Sequence, residues 1–347
     1  MSQYAGNRRD AAPSHAGAIV KKEAGAMEKQ IDMRSVYIEE LAAMMDNDPR
    51  ILIIDADLAK AMGTLKLYGK YRERIINVGI AEQNMISVAA GLAAYGDIPV
   101  TGTFSAFASR RVCDQIAISV GFAKNNVKMF GADPGITAQL NGATHMANED
   151  IGSLRSIPNL IICEPCDAAS LRSAMKEILY CDAPVYVRLN RKVAPDIYEE
   201  QTPFDMYKAV VLRSGNDVTL FSSGIEVAEA LRAADLLQEQ GICAEVLDVH
   251  TIKPIDKETI VASARKTKCA VSCENHNVLG GLGSAISEVL VANCPITMEF
   301  IGVQDHIGEA SPIDYLIKKY HMTAKDIVEA ALKVIKRKES EGLEAKL

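Results

Sequence analysis

Ile75-Ile-Asn-Val-Gly-Ile-Ala-Glu-Gln-Asn-Met85 reads as a short apolar strand that ends at Gly79 and turns into a helix with Glu82 in its first turn. The helix continues through Ile86-Ser-Val-Ala-Ala-Gly-Leu-Ala-Ala94, with small residues over much of its surface. Small side chains let a second helix approach closely, as a tight subunit interface requires. A strand feeding directly into a helix is the repeating step of a parallel sheet covered on both faces.

The same step recurs outward from this stretch. A helix over Ser35–Met45 leads into Arg50-Ile-Leu-Ile-Ile-Asp55, whose continuous apolar run suits a strand buried on both faces. Downstream, Ile98–Thr101 leads to a helix near Ser109–Phe122. Val127–Phe130 is a further strand, Leu160–Cys163 precedes a helix over Ala168–Tyr180, and Pro184–Leu189 closes the unit. Between Asn190 and Tyr207 the alternation stops, and Pro195 and Pro203 stand among acidic residues, as in a linker. A second α/β unit follows. Its strands are Val218–Ser222, Ala244–Val249 and Cys269–Cys273, and its helices are Glu226–Gln240 and Gly283–Ala292. The expected architecture is α/β: two three-layer α/β/α domains with mostly parallel sheets, over residues 30–190 and 208–338. A linker over 191–207 joins them, with a mobile arm before residue 30 and a charged tail from 339.

A chain of 347 residues can bury two such cores. Its net charge of −7 comes from 38 basic and 45 acidic residues spread along the chain. Without clustered Lys and Arg, neither a nucleic-acid footprint nor a membrane-surface patch is expected. No run approaches the about 18 apolar residues of a membrane span. The 8 cysteines have irregular spacing, which reads as reduced cytosolic thiols rather than a disulfide framework. Cys163-Glu-Pro-Cys166 has the spacing of a metal-binding pair, but no second pair accompanies it. The arm lacks the apolar segment of a targeting peptide. Gly280-Gly-Leu-Gly283 precedes a helix, but Ile286 stands where a dinucleotide fingerprint needs glycine. A close-packed turn is the better reading.

Glu82 at a helix start could simply complement the helix dipole. In apolar surroundings it could instead be held protonated, since desolvation disfavours a carboxylate, and then donate a hydrogen bond. Several motifs bear on that choice. GIAEQNM around Glu82, Gly102-Thr-Phe-Ser-Ala-Phe107, GATHMANEDIGSLRSIPNL and Val185–Arg191 resemble, in the same order, the pyrimidine-binding domain of transketolases. Val246–Asp256 and Glu274–Leu290 resemble the transketolase C-terminal domain. The resemblance runs from about Gln30 to Ile335.

The resemblance implies thiamine diphosphate as cofactor. Glu82 would be the carboxyl facing N1′ of the aminopyrimidine, favouring the tautomer that removes the thiazolium C2 proton. Phe104 and Phe107 would pack on that ring, with Phe107 stacked against its face; they could otherwise be ordinary core residues. Asp57 matches an aspartate near the ring, although a loop residue capping a strand end would look the same. His145 matches the histidine that contacts substrate oxygens beside the reacting carbon. Arg34 and Arg191 match arginines that hold the sugar phosphate, where a guanidinium fork suits phosphate oxygens, and Arg188 could substitute for them.

The metal and diphosphate of such enzymes sit on a separate domain with a GDG motif, whereas the only Gly-Asp pair here is Gly96-Asp97, followed by Ile98 and Pro99. Mg2+ (or Ca2+) and the diphosphate are therefore expected on an N-terminal transketolase subunit, in an α2β2 assembly, and no metal ligand is expected in this chain. Competing readings are the β subunit of a 2-oxoacid dehydrogenase, a scaffold subunit without catalysis, and a dinucleotide-binding protein. Around the sugar the pattern departs from the family. Asp133 stands in place of a histidine, Asn141 in place of an aspartate, and Ala61-Met62 near an expected serine. Asp133 would then present a carboxylate to the substrate, and a non-standard ketose is expected.

Overall fold

The computed structural model describes residues 31–344, with side chains to 340; the arm before residue 30 lies outside the described residues. Among the described residues, twelve strands form two sheets. The first sheet uses β1 (Ile51–Asp55), β2 (Ile75–Asn77), β3 (Ile98–Phe104), β4 (Lys128–Ala132), β5 (Ile161–Cys163) and β6 (Val185–Leu189). The second uses β7 (Val210–Arg213), β8 (Val218–Ser222), β9 (Ala244–Asp248), β11 (Cys269–Asn277) and β12 (Thr297–Val303). The twelfth strand, β10 (Thr251–Lys253), comes from the second half of the chain yet pairs antiparallel with β5. It extends the first sheet to the order β10-β5-β6-β4-β3-β1-β2. The second sheet runs β12-β11-β8-β9-β7 and is parallel except for β7.

The central strands are buried on both faces, which their continuous apolar sequences require. Even Lys128 is fully buried; its Nζ donates to the carbonyls of Cys181 and Ala183 at 2.8 and 2.7 Å, while burial lowers its pKa. The helix over Ala168–Tyr180 begins where a capping box dictates. The Asp167 carboxylate accepts from Ser170 N, and the Ser170 hydroxyl accepts from Asp167 N.

One sequence expectation changes in detail. The helix near Ser109–Phe122 is a broken run of short pieces ending in a π-helical turn over Ile116–Phe122. Its β-branched residues favour a regular helix weakly, and Gly121 lies against Ile157, where a Cβ would come within 2.7 Å. The linker segment 191–207 packs against the first unit. The second oxygen of Asp167 accepts from Ile197 N and Tyr198 N at 2.7 and 2.8 Å, and both residues are buried. The C-terminal helix, Ala324–Glu344, runs on into the charged tail and buries Val334.

The Gly280–Gly283 turn is filled by the protein itself. Glu274, fully buried, accepts from Leu282 N and Gly283 N at 2.6 and 2.9 Å. A Cβ on Gly281 would lie 1.9 Å from that carboxylate. Burial pushes the Glu274 pKa up to about 7, against the pull of the two amides.

Candidate functional site

In an open parallel sheet, ligands gather where the strands end at their carboxyl side. Here the registers Asp55↔Asn77, Asp55↔Gly102, Phe104↔Ala132 and Ala132↔Leu189 bring five strand ends level. From those ends project Asp57, Glu82, Phe104, Phe107, Asp133 and Arg191.

Glu82 opens the helix Glu82–Tyr95 and is 3% exposed. Its surroundings are not purely apolar: Arg111 Nη1 lies 2.9 Å from Glu82 Oε2. The same guanidinium sits 4.0 Å from the centroid of the Phe107 ring. One side chain thus joins the carboxylate to the aromatic motif, and sequence reading missed it. The available signal was closeness in sequence, because Arg111 follows Phe107 shortly after the chain leaves the helix at Ser109.

Phe104, Phe107 and His145 form one ring cluster. The imidazole lies 5.1 and 5.0 Å from the two phenyl centroids, edge on to each, and the phenyl rings are 6.1 Å apart. His145 Nδ1 is 3.0 Å from Thr144 Oγ1. Arg110 holds the His145 loop by donating to Thr144 O at 2.8 Å and pairing with Glu149 at 2.6 Å. Burial lowers the His145 pKa, and Arg111 and Arg110 lower it further. The imidazole therefore favours its neutral form, able to accept or donate one proton.

Arg191 lies over the Phe104 ring at 4.8 Å. Its Nη1 donates to Ala61 O at 2.7 Å, where Arg34 Nη1 also donates at 3.3 Å. Asp133 does not present its carboxylate to an open pocket. It is fully buried, and its oxygens accept from Arg191 N at 3.2 Å and Arg191 Nη2 at 2.6 Å. The reason is the chain path. Asp133 has φ +48, and its amide bonds to Leu189 O, which turns the side chain toward the end of β6.

Arg188 is not a substitute for Arg191. It is fully buried and pairs with Asp150 at 2.9 Å and Glu164 at 2.6 Å, while Nη2 donates to Asn275 O across the domain interface. Asp57 is an exposed turn residue with φ +64, its amide bonded to Asn77 Oδ1. Its neighbour Asp55 is the buried carboxylate, accepting from Leu58 N at 2.6 Å. Asn141 is exposed in the loop that carries His145.

These residues fit an aromatic nitrogen heterocycle: a carboxyl for one ring atom, an aromatic face, and an imidazole beside it. Among the described residues, no group of three or more His, Cys, Asp or Glu is placed to hold a metal ion. Cys163 and Cys166 are buried free thiols. No helix is long and apolar enough to cross a membrane among the described residues.

Along most of its length the chain is similar to known proteins. Residues 29–196 match a family model described as the transketolase pyrimidine binding domain, and residues 207–327 match the transketolase C-terminal domain. A 6-deoxy-6-sulfo-D-fructose transketolase subunit from Clostridium sp. (strain MSTE9) is 51% identical over 306 residues, 88% of this chain and 95% of that protein. A putative transketolase C-terminal section from Methanocaldococcus jannaschii is 38% identical over 309 residues, 88% of this chain and 96% of its own length. Among solved structures, a split gene transketolase described as an inactive beta4 tetramer superposes with a TM-score of 0.81. It is 39% identical, over 89% of this chain and 99% of that one.

Proposed function

This chain belongs to the transketolase family as a split subunit, and we propose that it supplies the aminopyrimidine half of a thiamine diphosphate site completed by a second chain. Bound there, the cofactor would supply a carbanion that accepts a two-carbon ketol unit from a ketose and passes it to an aldose. Glu82 faces the pyrimidine ring and holds the proton at its nitrogen. Phe107 fixes the ring plane, and His145 moves protons at the substrate oxygens. The observation that carries this reading is the Arg111 bridge, which puts the Glu82 carboxylate and the Phe107 face at one spot. A ring nitrogen arriving at Glu82 competes with Arg111 for that carboxylate.

The partner is an N-terminal transketolase subunit that binds the diphosphate and Mg2+, in an α2β2 complex in the cytoplasm. Support comes from the helix Glu82–Tyr95, whose outward face is Gln83, Asn84, Ser87 and Gly91. A Cβ on Gly91 would touch nothing within 4 Å, so this face is free to receive another helix. Ile80 before this helix, Tyr95 at its end, and Ile118 and Phe122 on the neighbouring segment are exposed as well.

The donor is a ketose with a distal anion other than the usual pentose phosphate, and a sulfonated hexulose suits Arg34 and Arg191. A donor panel on the reconstituted complex tests this, with each product identified by mass. A 6-deoxy-6-sulfo-hexulose should yield an aldose two carbons shorter, with xylulose 5-phosphate and ribose 5-phosphate turned over poorly. Ordinary efficiency with the pentose phosphates would remove the substrate assignment.

A further inference from the structure

Three cations and two carboxylates converge where the first helix meets the segment after β6. Met33 N and Arg34 N bond to the carbonyls of Lys192 and Arg191 at 3.3 and 3.4 Å, which places Arg34, Arg191 and Lys192 together. Each guanidinium already has a carboxylate. Asp32 lies 3.8 Å from Arg34 Nε, and Asp133 lies 2.6 Å from Arg191 Nη2. Lys192 donates to Thr137 O at 3.3 Å and has no ion-pair partner among the described residues. The cluster therefore carries one net positive charge.

It also retains free donors. Arg191 Nε is buried without a hydrogen-bond partner among the described residues, and the Arg34 side chain is 41% exposed. The cluster adjoins the ring site through Arg191, whose guanidinium lies over Phe104 beside His145.

We propose that Asp133, by pairing with Arg191, fixes this subsite at a single positive charge and so selects a sugar bearing a monoanionic sulfonate over one bearing a dianionic phosphate. The inference rests on the ketol-transfer reading and assigns the residue that discriminates between its substrates. A sulfonate offers three acceptor oxygens and one charge. A phosphate monoester offers three oxygens and a charge of about −1.5 to −2 at neutral pH. The second charge finds no unmatched cation, because both oxygens of Asp133 are held on Arg191 and the carboxylate is too buried for water to screen. The Asp133 carboxylate repels each added negative charge, so with an effective dielectric near 20 and a separation of about 8 Å the second charge costs on the order of tenfold or more in binding, on top of its larger loss of hydration.

The test uses the reconstituted complex with 6-deoxy-6-sulfo-D-fructose and 6-deoxy-6-phosphono-D-fructose at pH 8. The unmodified enzyme should show a KM for the sulfonate about tenfold or more below that for the phosphonate. Asp133→Asn suits the positive φ, since asparagine tolerates that region, and should close the gap by lowering the phosphonate KM. Equal KM values in the unmodified enzyme would overturn the proposal. So would an Asp133→Asn variant that weakens both ligands alike, because Asp133 would then only hold Arg191 in place. If that variant fails to assemble, the monomethyl ester of the phosphonate decides the matter in the unmodified enzyme. It carries a single charge and should bind better than the free phosphonate; no improvement sinks the idea. Transfer only from neutral ketoses would overturn this proposal and leave ketol transfer standing, whereas no transfer from any donor would remove both.

Discussion

Replacing Glu82 with glutamine should slow exchange of the cofactor's C2 proton for deuterium on the order of 10²–10⁴-fold in the reconstituted complex, the range for a lost acid–base group. Glutamine keeps the shape and one acceptor oxygen of the side chain but cannot hold a proton for a ring nitrogen. The fold has little to lose from the change. Arg111, the side chain paired with Glu82, is 43% exposed, so water can solvate the freed guanidinium. The loss should therefore appear as slow exchange in an assembled, cofactor-loaded complex. Glu82→Ala should act in the same direction. Exchange within about threefold of the unmodified rate would reduce Glu82 to a residue that complements the helix dipole.

Arg188→Met should cost roughly 3–5 kcal/mol of stability, read from the urea midpoint of the isolated chain. Arg188 is the cation of a buried network that includes Asp150, Glu164 and the Tyr186 hydroxyl, itself 2.8 Å from Asp150. Glu164 also accepts from Ser223 of the second unit at 2.9 Å, so the network spans the interface between the two sheets. Methionine fills much of the volume but leaves two carboxylates without their partner in a site closed to water. In the assembled enzyme the substrate KM should stay near its unmodified value, because Arg188 faces no ligand. A stability loss below about 1 kcal/mol, or a large rise in KM alone, would return Arg188 to the substrate site.

Most of the first sheet was legible because its strands are continuous apolar runs and its helices carry caps, as at Asp167. The three-residue strand Thr251–Lys253 was not legible. Its length and mixed character give no periodic signal, and its pairing with β5 is fixed only by tertiary packing. Glu82, Phe104, Phe107 and His145 could be singled out from sequence because each lies within a short motif, and the structure draws the two phenyl rings and the imidazole together. Arg111 was missed because it pairs with Glu82 from another element. Asp133 is visible in the sequence as a departure from the family, but its direction is not, since that depends on a positive φ and on an arginine 58 residues away. Pairing of that kind is a property of the fold rather than of the local sequence.

The central claim is that this chain holds only the pyrimidine half of the site. Calorimetric titration with thiamine diphosphate and Mg2+ tests it most directly, on the chain alone and on the chain with its diphosphate-binding partner. Saturable micromolar binding only when the partner is present is the result expected here. Micromolar, Mg2+-dependent binding by this chain alone would contradict it.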